Sequence, residues 1–168
     1  IKTNTDSSSF KFLHTESGDV YRLVGPTTVN GTKTYSLENH LVKDIEIKED
    51  TSFNVISSDS VTKQSTYVMV EKDGKKTYFD SNGRILGIVD RYGNKITFEY
   101  KKITYTINGN ARVKILISKI NDTIGRSIQI KYDEVNSQKV TIFIPDSTPN
   151  DLSNNKKIEY NTGTFMSD

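Results

Sequence analysis

The chain has 168 residues, 33% of them hydrophobic, with 23 basic and 21 acidic side chains and a formal net charge of +2. Charges so nearly balanced, with lysines scattered among acids rather than massed, leave no electrostatic footprint for nucleic acid. There is no cysteine, which excludes disulfides, thiolate zinc sites and a cysteine nucleophile. No apolar run approaches the roughly 20 residues that a membrane-spanning helix needs.

The chain opens Ile1-Lys2-Thr3, without Met or a signal-peptide pattern, and reads as a piece of something longer. Residues 1–9 are polar and Ser-rich, the composition of a loose end. Ala111 is the only alanine, while Thr, Ile, Val, Tyr, Ser, Asn and Gly dominate, so strands and turns are favoured over helix. Strands are predicted at 10–13, 20–24, 32–37, 41–48 and 53–56, in an N-terminal β region spanning residues 10–65. The Ser/Thr-rich stretch 57–65 reads as a loop dividing this region from the remainder of the chain.

From residue 66 to 144 the pattern is more regular. Period-two alternation recurs in Ile96/Phe98/Tyr100, Ile103/Tyr105/Ile107, Val113/Ile115/Ile117, Ile128/Ile130/Tyr132 and Val140/Ile142/Ile144. Asn30-Gly31, Asp73-Gly74 and Asn108-Gly109 are dipeptides suited to tight type I′ hairpin turns, and Asn82-Gly83 and Gly93-Asn94 punctuate two further connections. The fold class is therefore predicted as all-β: antiparallel hairpin repeats forming a curved, meandering sheet. Residues 145–168 form a tail, with a Pro-containing break at 145–150 and a possible edge strand at 156–160.

One phrase occurs twice. Residues 88–100 (IVDRYGNKITFEY) return as residues 120–132 (INDTIGRSIQIKY), matching Ile88/Ile120, Asp90/Asp122, Gly93/Gly125, Ile96/Ile128 and Tyr100/Tyr132. A fixed period of this kind is the signature of stacked supersecondary units, which commonly serve as scaffolds or surfaces.

The run Tyr78-Phe79-Asp80-Ser81-Asn82-Gly83-Arg84-Ile85, followed by Ile88, Asp90 and Gly93 and later by Tyr132-Asp133, resembles the RHS/YD-repeat family. The likeness covers about residues 66–133. Departures include Ile85 where the family usually has Leu, Lys101 rather than Asp after Tyr100, and no Gly-Arg before the second aliphatic run. The resemblance implies a long chain of β-hairpins spiralling into a hollow shell, which in bacterial members encloses a toxic C-terminal domain. It implies a secreted or cell-wall location, with adjacent repeats of the parent chain as partners. The structural signature it marks here is Tyr78, Asp80, Gly83, Arg84, Ile88, Asp90, Gly93, Tyr100, Ile120, Asp122, Gly125, Tyr132 and Asp133.

Each of these residues has a chemical reading and a structural one. Asp90 and Asp122 could form a catalytic carboxylate pair, but an Asp three residues before Gly is also placed to accept backbone N–H groups in a turn. Tyr78, Tyr100 and Tyr132 could form a strip for glycan or peptide, or fill a packed face. Arg84, Arg91 and Arg126 could pair with Asp80, Asp90 or Asp122 on neighbouring units. His14 and His40, the only histidines, lie in no recognisable motif. The expectation is a non-enzymatic structural segment without cofactor or metal, able to self-associate through its edge strands. The alternative is a module that binds a cell-surface glycan or receptor.

Overall fold

A computed structural model describes residues 2–3, 11–40, 44–107, 110–133, 139–144 and 156–161. The chain divides into two compact units, 1–95 and 96–168. In the first, strands β1 (Lys2–Thr3), β2 (Lys11–His14), β3 (Val20–Val29), β4 (Thr32–Leu37), β5 (Ile45–Glu49), β8 (Tyr67–Glu71), β9 (Lys76–Phe79) and β10 (Ile85–Val89) lie side by side in that order. Strands β6 (Asn54–Ile56) and β7 (Thr62–Gln64) form a separate hairpin. In the second unit β11 (Lys95–Ile107), β12 (Asn110–Asn121), β13 (Ser127–Tyr132), β14 (Lys139–Ile144) and β15 (Lys156–Asn161) are neighbours in sequence order. Neighbouring strands within each unit run antiparallel, and the described residues contain no helix. The expected all-β architecture of antiparallel hairpins is therefore present.

Several boundaries differ from the sequence reading, each for a local reason. Lys2–Thr3, in the segment expected to be loose, pairs with β2 through Lys2↔Phe12 and Thr3↔Lys11. Strand β3 runs on to Val29 because a register shift between Val24 and Thr27 absorbs Gly25-Pro26 as a bulge, where a strand can accommodate proline. Gly25 is needed there. Its φ is +116°, and a Cβ would lie 3.1 Å from the Thr27 nitrogen and 3.2 Å from the Thr34 carbonyl oxygen. The Asn108-Gly109 turn, the 145–150 break and residues 41–43 of the predicted 41–48 strand lie outside the described residues.

The core of the first unit follows from register. Directly opposed residues of antiparallel strands share a face, so Leu23↔Leu37, Tyr35↔Ile47, Ile47↔Met69 and Tyr67↔Phe79 build one apolar surface across five strands. Leu13 joins it, and Ile45 and Ile85 pack against it. The reverse face carries Val68, Tyr78 and Leu86, all buried. Their cover comes from the predicted strand at 53–56, which pairs with β7 inside the stretch 57–65 read as a dividing loop. Phe53 stacks on Tyr78 with centroids 4.3 Å apart and planes 11° from parallel, Val55 is buried, and β6 lies against β10. The foot of this excursion is tied by Ser65, whose N–H donates to the Phe53 carbonyl and whose hydroxyl accepts the Phe53 N–H.

In the second unit a register shift between Glu99 and Tyr100 leaves Ser118 without an opposite number. Beyond the shift Ile103 faces Lys114 and Tyr105 faces Arg112, whereas Val113 faces Thr104 and Ile115 faces Lys102. The two apolar stripes of this hairpin thus lie on opposite faces of it. Ile103 and Tyr105 are buried, with Leu116 and Tyr132 against them, while Val113 and Ile115 stay exposed.

Ile47 is 0% exposed and is flanked on both sides by core partners, so truncating it leaves a cavity that the sheet cannot close. Ile47→Ala is expected to lower unfolding free energy by about 2–5 kcal/mol. Ile158→Ala, on the exposed β15, is expected to change it by no more than about 0.5 kcal/mol. Urea denaturation followed by circular dichroism measures both, and equal losses would contradict this core assignment.

Candidate functional site

The signature residues sit mainly in one recurring turn. In Asp80–Arg84, Asp90–Asn94 and Asp122–Arg126 the first residue's N–H donates to the fifth residue's carbonyl, and the fourth residue's N–H donates to the first residue's carbonyl. Gly83, Gly93 and Gly125 occupy the fourth position with φ of +77°, +89° and +88°. This is a type I turn followed by a left-handed residue, the three-residue hairpin loop, rather than the two-residue type I′ turn. Asp73-Gly74, read as type I′, belongs to the same class: Gly74 alone has positive φ, the Glu71 N–H donates to the Lys75 carbonyl, and the Gly74 N–H donates to the Glu71 carbonyl. Asn30-Gly31 does match type I′, with φ of +50° and +80° in its two central residues.

The aspartate at the first position holds the loop from within. Oδ1 of Asp80 accepts the N–H groups of Asn82 and Arg84, both at 2.8 Å. Oδ1 of Asp90 accepts those of Tyr92 and Asn94 at 2.8 and 2.9 Å, and Oδ1 of Asp122 those of Ile124 and Arg126 at 3.1 and 2.9 Å. The fifth side chain then engages Oδ2: Arg84 Nη1 at 3.2 Å, Asn94 Nδ2 at 2.8 Å and Arg126 Nε at 2.7 Å. Arg84 and Arg126 therefore pair within their own turns, not across neighbouring units, because the fifth position points straight back at the first. Arg91 lies over the ring of its neighbour Tyr92, itself 74% exposed.

The remaining signature residues are strand positions. Ile88 faces Thr77, and Ile120 sits between Phe98 and Ile128. Tyr78 is buried, and burial, together with the charge of Asp50, pushes its phenol pKa up. Tyr132 is half-buried, donates its hydroxyl to the Ile117 carbonyl at 2.8 Å and is likewise pushed up by burial. Tyr100 is half-buried beside the register shift, and the Asp133 N–H donates to the Lys139 carbonyl. Glu99, which alternates with Phe98 and Tyr100, is only 7% exposed and is met by Asn121 Nδ2 at 3.1 Å and Lys119 Nζ at 3.8 Å.

Two polar constellations lie outside the signature. Nε2 of His40 meets Asp44 Oδ1 at 2.7 Å, a bond that holds the Asp44 carboxyl below the usual carboxylate range, and Tyr21 packs edge-on against the imidazole. His14 is exposed. The second constellation joins four strands, β2, β4, β5 and β8. Lys11 Nζ donates to the hydroxyls of Tyr35 at 2.9 Å and Tyr67 at 2.6 Å, and the Tyr35 hydroxyl reaches Glu49 Oε1 at 3.3 Å. Partial burial works to lower the Lys11 pKa, but the two phenolic hydrogen bonds outweigh it, so the ammonium is raised above its ordinary value. Lys11 is thus a held positive charge at neutral pH, unsuited to act as a base or nucleophile. Sequence reading missed this group because its members, 24 and 56 residues apart, share no motif. Among the described residues no cluster of three His, Asp or Glu is placed to hold a metal ion.

No protein-family model matches the chain, and neither a curated protein nor a solved structure does.

The turn geometry predicts two outcomes. Ser57–Val61 closes with the same pair of backbone bonds, but Ser60 occupies the left-handed position at φ +63°. Relieving that conformation by Ser60→Gly is expected to stabilise the chain by about 1 kcal/mol, read from thermal or urea unfolding. No gain would mean that the Ser57 turn is not held as described.

The second outcome is a pH dependence. In Asp90 the Asn94 side chain and, against the opposing effect of burial, the backbone donors hold the carboxyl below the ordinary 3.8. In Asp122 burial works upward, yet the Arg126 side chain and the backbone donors leave it below 3.8 as well. A folded-state pKa below the unfolded value means stability that is full above about pH 5 and lost as pH falls through the folded pKa. Asn keeps the Oδ1 acceptor without the charge. Asp90→Asn/Asp122→Asn is therefore expected to flatten the fall of melting temperature between about pH 5 and about pH 2. An acid limb as steep as that of the parent chain would rule the turn carboxylates out as its source.

Proposed function

We propose that this chain is a non-enzymatic wall segment of RHS/YD-repeat type, belonging to a large secreted or cell-surface protein whose adjacent repeats are its partners. The observation that carries this reading is the recurrence of one turn, with the same hydrogen bonds and the same aspartate, at three strand reversals, 80–84, 90–94 and 122–126. A hairpin closed the same way each time presents its next strand to its neighbour in the same manner, the requirement for a sheet extended by repetition. The repeated carboxylates support it too, since both oxygens of Asp80, Asp90 and Asp122 are engaged inside their own turns.

A wall built by adding strands must meet the backbone groups of its last strand with another strand. Strand β15 ends the order of the second unit, and all six of its residues are exposed. Its even positions carry Ile158 and Tyr160 and its odd ones Lys157 and Glu159, an alternation able to continue the sheet. The chain is expected to show concentration-dependent self-association by sedimentation velocity, weakened in Ile158→Lys/Tyr160→Lys because lysine on an edge strand opposes further pairing. A single monomeric species at all concentrations, unchanged by the two lysines, would count against the wall reading.

A further inference from the structure

Alternation along the strands and pairing between them sort the second unit into two faces. One face carries the rows Phe98↔Ile120↔Ile128 and Ile130↔Ile142↔Ile158, joined because Ile128 and Ile130 are two apart on β13. Ile96 on β11 and the pair Val140↔Tyr160 extend it. The other face carries Glu99, Ser127 and Thr141, the sequence neighbours of Phe98, Ile128 and Ile142.

Burial runs against the chemistry of these side chains. The buried residues described in this unit are Glu99, Ile103, Tyr105, Ser127 and Thr141, and alternation puts all of them on the second face. The apolar face has no buried residue among those described: Ile96, Ile158 and Tyr160 are 43%, 39% and 50% exposed, and the remaining row members are half-buried. Alternation assigns Tyr132 to the apolar face too, but its ring packs at Ile103 and Tyr105. A contiguous apolar face left open marks an interaction surface.

Charge and area point to what covers it. The charged residues described on this face are Lys102, opposite Ile115, and Lys156, opposite Ile144, both outside the two central rows. Two copies can therefore bring these faces together without like charges meeting at the centre, whereas the opposite faces would set Lys119 and Lys131 against their own kind. Five strands about 4.8 Å apart, with about six residues of about 3.3 Å each, give a footprint of roughly 24 Å by 20 Å. With its side-chain relief, such a face offers accessible surface of the order of the 800 Å² per partner that a specific interface uses.

We propose that this face is the interface of a two-fold dimer, in which two copies of the chain stack their second-unit sheets with the isoleucine rows interdigitated. Sheets packed in this way lie about 10 Å apart and share one apolar core. The dimer goes beyond the wall reading, because it uses the face of the sheet and not its strand edges.

The test is an isotope-filtered NOE experiment on an equal mixture of carbon-13-labelled and unlabelled full chain. Methyl contacts between copies are expected among Ile128, Ile130 and Ile142. Ile158 lies on both the face and the edge strand, so the face is tested by substitution elsewhere. Ile142→Lys puts a charge at the centre of the face and leaves the edge of β15 unchanged. It is expected to weaken the dimer by about tenfold or more in sedimentation equilibrium, because the charge is desolvated against its own copy. Ile142 is half-buried, so Ile96→Lys, at an exposed position on β11, gives an independent check that does not strain the fold. It is expected to weaken the dimer by about threefold or more. Contacts between copies confined to the β15 backbone would overturn the proposal. So would a dimer equally tight in folded Ile142→Lys and Ile96→Lys, or a monomer at every concentration.

Discussion

The structure depends on how each hairpin satisfies its own reversal. In a chain whose described residues are all strand and turn, the backbone must turn back repeatedly within five residues. Every such reversal exposes N–H groups that the ladders on either side cannot take. An Asp in first position meets two of those donors with a single oxygen, and a left-handed fourth residue lets the three-residue loop match the twist of the strands. Where the first residue is not Asp, the acceptor moves but the need remains. Thr15 Oγ1 accepts the Asp19 N–H, Asp59 accepts the Val61 N–H, and Asp73 accepts the Lys75 N–H. The fixed quantity is the donor at position five, and the sequence varies around it.

A second constraint comes from the sheet itself. A sheet has two faces, and a chain with 33% hydrophobic residues can bury only part of them. The first unit places its apolar residues on one continuous surface from Leu13 to Phe79 and lends the β6–β7 excursion to cover Val68, Tyr78 and Leu86 behind it. The second unit uses a register shift instead. On one side of the unopposed Ser118, Ile103 and Tyr105 face Lys114 and Arg112 and are buried while Val113 and Ile115 remain in solvent; on the other side the changed register sets Phe98 opposite Ile120. The same shift lies beside the buried Glu99, whose charge is met by Lys119 and Asn121 from the facing strand.

These two constraints explain what could be read in advance. Turn chemistry is local, so Asp and Gly at fixed spacing disclosed the hairpins of β8 to β10 and of β12 to β13, and Thr32–Leu37 could be bounded to the residue. Turn type was less legible. An Asn-Gly or Asp-Gly pair suits both two- and three-residue loops, and only the register of the flanking strands decides between them. Faces were hardest to read. Period two tells that Val113, Ile115 and Ile117 share a side but not whether that side is the one Ile103 occupies, because a single unopposed residue reverses the answer. The covering role of residues 53–65 was hidden for a related reason: the strand at 53–56 could be read, but period two carries no sign that its phenylalanine will stack on Tyr78 rather than join the main sheet.

The distribution of charge divides the molecule's chemistry in the same way. The aspartates most visible in the sequence, Asp80, Asp90 and Asp122, are consumed by their turns, where both carboxylate oxygens already have donors. The cation least visible, Lys11, lies in a four-residue strand with nothing to mark it, yet topology sets it between two tyrosines from strands 24 and 56 residues away. Repetition in sequence therefore tracks what each hairpin must do for itself. A polar group made by bringing together non-repeating strands answers to no such local demand. The difference separates what one hairpin needs in order to close from what topology assembles: Lys11 is held between Tyr35 and Tyr67, with Glu49 on the far side of the Tyr35 hydroxyl.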